Sequence, residues 1–271
     1  ELIEKENMPK ISSYTFESWF KKRKANTTGS RGKIVFFHDT HINYIHPEVG
    51  KSAVKILESA GYEVEITDRK CCGRTLISKG LLEEAKKYVD YNTNLLSSYV
   101  EAGIKIVGIE ASCVSAIQDE LPDLADQREK AQKISDNTFT IQDLIMQIQN
   151  DGKQQIKWNE TNKDLLLFVH CHERALNGTT NSLGSLNLPG KFKANLIDAG
   201  CCGMAGSFGM EKEHYEISKT MANDRLLPAI ENSEEEQEII VTGISCHDQI
   251  KDLSSKTPKY LVEVLAEAVS D

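Results

Sequence analysis

The stretch LLLFVHCHE, Leu165 to Glu173, runs a block of apolar residues straight into a cysteine flanked by two histidines. Five apolar residues in a row, with no polar alternation, read as a short strand buried on both faces. A bilayer span takes about 20 such residues, so the run does not cross a membrane. An earlier segment, KIVFFHDTH from Lys33 to His41, has the same form, with Thr40 where the later one has Cys171.

Working outward from that pair, further segments fall into register. DRKCCGRTLISKG (Asp68 to Gly80) pairs with DAGCCGMAGSFG (Asp198 to Gly209), and IKIVGIEASCVSAI (Ile104 to Ile117) pairs with EIIVTGISCHDQI (Glu238 to Ile250). The offsets are 131 from Thr40 to Cys171, 130 from Cys71 to Cys201, and 133 from Cys113 to Cys246. Such agreement indicates an internal duplication with a period of about 130 residues. In each unit short apolar runs alternate with helical periodicity. Val49, Ala53, Val54, Leu57 and Ala60 recur at helical spacing before Gly61, and LLEEAKKYVDYNTNLLSSYVEAG ends at Gly103. The expected fold is therefore α/β, two tandem duplicated units, each a small mostly parallel sheet flanked by helices. The expected division is an N-terminal linker or extension over 1–31, a first cysteine-rich unit over 32–155 and a second over 156–271. Phe16, Trp19 and Phe20 in TFESWF suggest a short helix packing on the body or on an upstream domain.

With 271 residues and a net charge of -9, the chain has core enough for two domains and lacks the clustered basic charge of a nucleic-acid binder. No signal peptide is visible, and the expected location is cytoplasmic, or peripheral to the inner face of a membrane through partners. Seven cysteines is an odd count. Neighbouring Cα atoms lie about 3.8 Å apart, whereas ordinary disulfides prefer roughly 4.4 to 6.8 Å. Reduced thiolates binding a metal are the better reading of each adjacent pair.

In open parallel sheets ligands bind beyond the carboxyl ends of the strands. Cys171 ends the first strand of the second unit, Cys201 and Cys202 follow the second, and Cys246 follows the third. These four thiolates suffice for a tetrahedral zinc or an iron–sulfur cluster. Adjacent cysteines are awkward ligands for one small ion, whereas a cluster offers several irons. Gly203 and Gly206 are expected to let backbone N–H groups approach the bound group, at the opening of a helix. The loop lacks the G-x-G-x-x-G spacing of a dinucleotide site. In the first unit Cys71, Cys72 and Cys113 match three of the four. His38, Asp39 and His41 crowd the fourth place, and Glu110 precedes the third cysteine. That site, completed by His41 or a carboxylate, is expected to hold zinc or a degenerate cluster, or to have lost its metal. Arg69, Lys70 and Arg74 would keep its thiolates charged. The sequence names no catalytic residue.

CCGRTLISKG, EASCVSAIQDELPDL, HCHERAL, DAGCCGMAGSFGMEKEHYEIS and GISCHDQI together resemble the tandem cysteine-rich CCG domains of iron–sulfur oxidoreductases. That group includes the glycolate oxidase iron–sulfur subunit and the heterodisulfide reductase B subunit. The chain most resembles the C-terminal region of FAD-linked D-2-hydroxyacid dehydrogenases of the lactate type. The resemblance implies an electron-transfer module with a [4Fe-4S] cluster in the second unit, acting on D-2-hydroxyacids such as lactate or glycolate. It would be a fragment or subunit, inactive alone. FAD would sit on a missing domain or partner, with a ferredoxin-like domain as a further partner. The heterodisulfide reductase pattern has a further cysteine where this chain has Glu110 and Gly243. Two alternatives stand: a zinc-binding structural or docking module, and thiol–disulfide catalysis at a cluster.

Overall fold

The computed structural model describes residues 10–153 and 155–270; the first nine residues of the expected extension, Gln154 and Asp271 lie outside the described residues. Contacts divide the chain into two compact units, Ile11–Lys157 and Trp158–Ser270. In the first, strands β1 (Lys33–Phe36), β2 (Glu63–Glu65), β3 (Lys105–Gly108) and β4 (Thr138–Thr140) form a parallel sheet in the order β2-β1-β3-β4. In the second, β5 (Lys163–Phe168), β6 (Phe192–Leu196), β7 (Glu238–Val241) and β8 (Lys259–Tyr260) repeat that order as β6-β5-β7-β8. The α/β class and the duplication thus hold at the level of topology.

The apolar runs are the sheet centres. Ile34, Val35 and Phe36 on β1 and Leu165, Leu167 and Phe168 on β5 are fully buried. β1 pairs with β2 at Lys33↔Glu63 and with β3 at Ile34↔Lys105. β5 pairs with β6 at Lys163↔Phe192 and with β7 at Leu165↔Glu238. The winding direction reverses between β1 and β3, and again between β5 and β7. Loops leaving the two strands at such a point part to opposite sides and leave a crevice at their carboxyl ends.

The periodic segments form the helices Pro47–Ser59 and Leu82–Glu101, each ended by a left-handed glycine, Gly61 at φ 94° and Gly103 at φ 74°. The fourth strands, β4 and β8, were not legible as apolar runs. They are three and two residues long, and Thr140 ends β4 while capping the helix Ile141–Asn150. Among the described residues no helix is long and apolar enough to cross a membrane.

The aromatic N-terminal segment packs on the first unit. Thr15 Oγ1 accepts the Ser18 N–H at 3.1 Å and opens the helix Phe16–Lys22. The Phe16 ring is fully buried and meets Phe36 edge-on at 5.5 Å. Gly50 makes the room: a Cβ there would lie 2.6 Å from Phe16 Cδ2. Truncating a fully buried Phe leaves a cavity, and Phe16→Ala is expected to destabilise the first unit by about 3–5 kcal/mol. Urea unfolding checks this; a loss below about 1 kcal/mol would show that the helix is only an appendage.

Candidate metal centre

The second unit assembles its cysteines from three strand ends. β5 runs through Val169 and His170 into the helix Cys171–Leu176, so Cys171 sits in its first turn. Cys201 and Cys202 lie in the loop after β6, and Cys246 lies in the first turn of the helix Ile244–Leu253 after β7. All seven cysteines of the chain are free thiols. Cys201 Sγ and Cys171 Sγ are 4.0 Å apart, Cys202 neighbours Cys201, and Cys246 neighbours Cys202. The four cysteines thus form a contiguous row.

Among these thiols Cys201 is the one held down. The Cys171 and Cys202 thiols hydrogen-bond to it, Gly203 N–H donates to its sulfur at 3.4 Å, and His170 adds positive potential; together these hold it far below the ordinary thiol range despite burial. Cys171 is correspondingly pushed up, first by Cys201 and then by burial, and Cys202 is raised first by Cys201 and then by Cys246. Four clustered soft donors suit a group carrying its own positive charge, and the clustered cysteines fit a metal–sulfur cluster.

Backbone ties hold the adjacent pair in place. Arg174, on the helix that Cys171 opens, donates to the carbonyls of Ala199 and Gly200, the latter at 2.6 Å. Gln249 Nε2 donates to Cys202 O at 3.0 Å and Ser218 Oγ at 2.8 Å. Gln249 lies three residues after Cys246 on one helix, so one face presents both ligand and tie. Gly203, at φ 88°, packs against the Ser218 carbonyl, where any Cβ would collide. The glycine loop does not open a helix, contrary to the sequence reading. Gly203, Ala205 (φ 42°) and Gly206 (φ 67°) are left-handed, which breaks helical continuation. A short 3₁₀ turn, Phe208–Met210, follows, and the next helix is Tyr215–Asp224. His214 stacks on Phe208 at 4.0 Å, with Nδ1 3.1 Å from Glu211 Oε2.

The first unit repeats the plan with three thiols. Cys72 Sγ lies 3.1 Å from Cys113 Sγ, and Cys71 neighbours Cys72. Cys71 is raised first by Cys72, and Cys72 first by Cys113. Cys72 pulls Cys113 down, but burial and the charges of Asp39 and Glu110 outweigh it. Asn92 holds the pair's backbone, accepting Lys70 N–H at 2.9 Å and donating to Cys71 O at 3.1 Å. Arg69 donates to the His38 carbonyl, and Arg74 pairs with Glu120 and donates to Ser112 O at 3.3 Å. Arg69 and Arg74 thus fasten backbone carbonyls, and Lys70 lies over the Tyr91 ring, 5.0 Å from its centre. His41 stands one residue past Thr40, with a buried Nδ1 lacking a hydrogen-bond partner.

Asn92, Gln249, Arg174 and Ser218 escaped the sequence reading. For Asn92 a signal existed: a polar residue on the apolar stripe Ala85, Val89, Leu96 of its helix, itself 1 % exposed.

Residues 35–118 and 165–251 each match the CCG cysteine-rich domain. The chain belongs to that family. It is 28% identical over 267 residues to one subunit of the anaerobic glycerol-3-phosphate dehydrogenase of Escherichia coli, covering 97% of this chain and 66% of that protein. It is 22% identical to D-2-hydroxyglutarate dehydrogenase of Pantoea ananatis, over 88% of this chain and 22% of that protein. It is 25% identical to lactate utilization protein A of Bacillus velezensis, over 79% of this chain and 87% of that protein. The chain thus spans just under two thirds of the first of these relatives and a smaller part of the second.

In the second CCG loop, Gly203 and Ala205 predict opposite outcomes. Gly203→Ala is expected to cost about 2 kcal/mol through its left-handed backbone and the Ser218 clash, whereas Ala205→Gly relieves strain worth up to about 1 kcal/mol. Urea unfolding of the metal-free chain reads both; a harmless Gly203→Ala would refute this account of the loop.

Proposed function

We propose that the chain is the iron–sulfur electron-transfer part of a flavin-linked dehydrogenase system. The single observation that carries this is the contiguous set Cys171, Cys201, Cys202 and Cys246, gathered from three strand ends of one sheet. Those four residues would hold a [4Fe-4S] cluster, with Gly203 supplying an N–H to sulfur and Gly206 the turn beyond it. Such a cluster takes up and passes on one electron at a time. The protein's part is to desolvate the thiols, fix the CC backbone through Arg174 and Gln249, and hold His170 beside Cys201.

The relatives' names support the substrate class: glycerol 3-phosphate, D-2-hydroxyglutarate and lactate each offer a hydroxyl-bearing carbon to oxidise. We assign this chain to oxidation of such a small hydroxylated acid or phosphate, D-2-hydroxyacids such as lactate or glycolate included. FAD would belong to a partner or another domain, with a ferredoxin-like domain completing the path. The free thiols suit the reducing cytoplasm.

Disulfide catalysis at a fifth cysteine is disfavoured by the packing. At Gly243, where that cysteine would stand, a Cβ would lie 2.5 Å from His170 Cδ2, so His170 already fills the space. A purely structural zinc role in the second unit is disfavoured by the paired cysteines, since zinc sites ordinarily separate their ligands by two to four residues.

Anaerobically prepared protein is expected to be brown, with about four iron and four sulfide per cluster. Cys171→Ser or Cys201→Ser should remove the colour and most of the iron while circular dichroism stays native. A colourless chain holding zinc in place of iron after reconstitution with iron and sulfide would overturn the proposal.

A further inference from the structure

We propose that the N-terminal segment of the first unit is a docking surface for an acidic electron-carrier protein, with Lys21, Lys22 and Lys24 as its charged contacts. The class of the partner rests on the electron-transfer reading above; the surface itself does not.

Charge along the chain is uneven. Acidic residues outnumber basic ones by 41 to 32 overall, yet residues 11–31 hold five basic residues against one carboxylate, Glu17. The structure divides those five into two kinds. Both arginines are engaged by the body of the first unit. Arg23 Nη1 donates to Glu58 Oε1 at 2.6 Å, with both side chains under a tenth exposed, and its guanidinium stacks 4.1 Å from the Phe20 ring centre. Arg31 Nε donates to Ala60 O at 2.9 Å, and its guanidinium pairs with Asp151. The three lysines are exposed, and among the described residues none makes a hydrogen bond or ion pair. A solvated lysine standing singly is ordinary, but three within four positions on a fixed mount add their fields.

The mount is firmly held. Phe16 anchors the inner side of the helix Phe16–Lys22 in the core, and just past the lysines Asn26 N–H donates to Glu58 Oε2 at 3.1 Å. At the start of the helix, Glu17 N–H donates to Asn43 Oδ1 at 3.0 Å, and Glu17 Oε1 lies 2.9 Å from His38 Nε2. His38 follows β1, and its carbonyl accepts from Arg69 in the loop that carries Cys71 and Cys72. The basic segment is thus joined to the carboxyl end of the first sheet, where the thiols of that unit gather. A protein held on it lies beside the strand-end loops.

The surroundings choose the occupant. Three lysines alone give an anionic bilayer only a marginal hold, because stable attachment takes a second signal such as an acyl chain or a buried apolar face. The aromatic rings here do not supply one: Arg23 covers Phe20, and Lys51 Nζ lies 5.4 Å from the Trp19 ring centre. An extended anionic plane or polyanion would also meet the acidic excess of the rest of the chain. A compact acidic protein needs to match only the local field, and such complementarity acts chiefly on encounter rate and orientation.

The test uses the anaerobic full chain and a small acidic ferredoxin as the probe, with association followed by surface plasmon resonance. At about 10 mM ionic strength, where the Debye length is about 30 Å, the two are expected to bind. The triple variant Lys21→Glu, Lys22→Glu, Lys24→Glu should slow association by about 10-fold or more, with the difference shrinking as salt rises towards about 150 mM. A control triple, Lys87→Glu, Lys133→Glu, Lys193→Glu, changes net charge equally at exposed sites elsewhere and should stay within about threefold of the unaltered chain. Circular dichroism of both triples is expected to be native, since exposed substitutions of this kind cost little stability. The proposal is overturned if the probe fails to bind the unaltered chain at low salt, or if both triples slow association alike. It is equally overturned if the first triple leaves the ferredoxin unaffected but releases the chain from vesicles of phosphatidylglycerol and phosphatidylethanolamine in equal parts. Iron and sulfide content, and their loss in Cys201→Ser, test the electron-transfer reading separately, because this binding does not require the cluster.

Discussion

Thiols that leave water together cannot all become anions unless positive charge comes to them. In the second unit the Cys201 thiol is held down, where Cys171, Cys202 and the Gly203 N–H converge on its sulfur. Its neighbours Cys171 and Cys202 are pushed up in turn. The parallel sheet creates this situation by delivering loops to one end, and a cationic inorganic centre would resolve it. Sheet order, loop conformation and the ties to the CC backbone all serve that convergence.

The ties show how much of the site is backbone engineering. Each unit fastens its adjacent cysteines with an amide side chain from a packed helix, Asn92 in the first and Gln249 in the second. Each also joins the CC loop to the loop after its first strand through an arginine. In the first unit that arginine, Arg69, is on the CC side; in the second, Arg174 is on the other. What the duplicated fold preserves is the tie, and the position supplying it is free to move.

That freedom explains what could be read beforehand. Buried strands announce themselves as apolar runs, long helices by period and terminal glycine, and ligand cysteines by recurrence at one offset. β4 and β8 lack such a signal because their last residues already serve the following helices. The glycine loop looked like a helix opening because composition records where φ is free but not its sign; Gly203, Ala205 and Gly206 all turn left-handed. Arg174 and Gln249 look like surface residues in one dimension, since only the fold brings carbonyls to meet them.

The two units differ most where the alignment is weakest. At the place after the first strand, one has the thiol of Cys171, the other Thr40 behind its Asp39 cap. At the place before the last cysteine, one has Gly243 packed under His170, the other has Glu110, whose carboxylate accepts the Ser112 hydroxyl at 2.8 Å. Both changes push the first unit from soft towards hard donors while leaving the sheet order untouched. Ligand chemistry at strand ends is thus decoupled from the core, because loop residues contribute little to strand packing. A duplicated sheet can therefore carry two unlike sets of strand-end side chains without a change of fold.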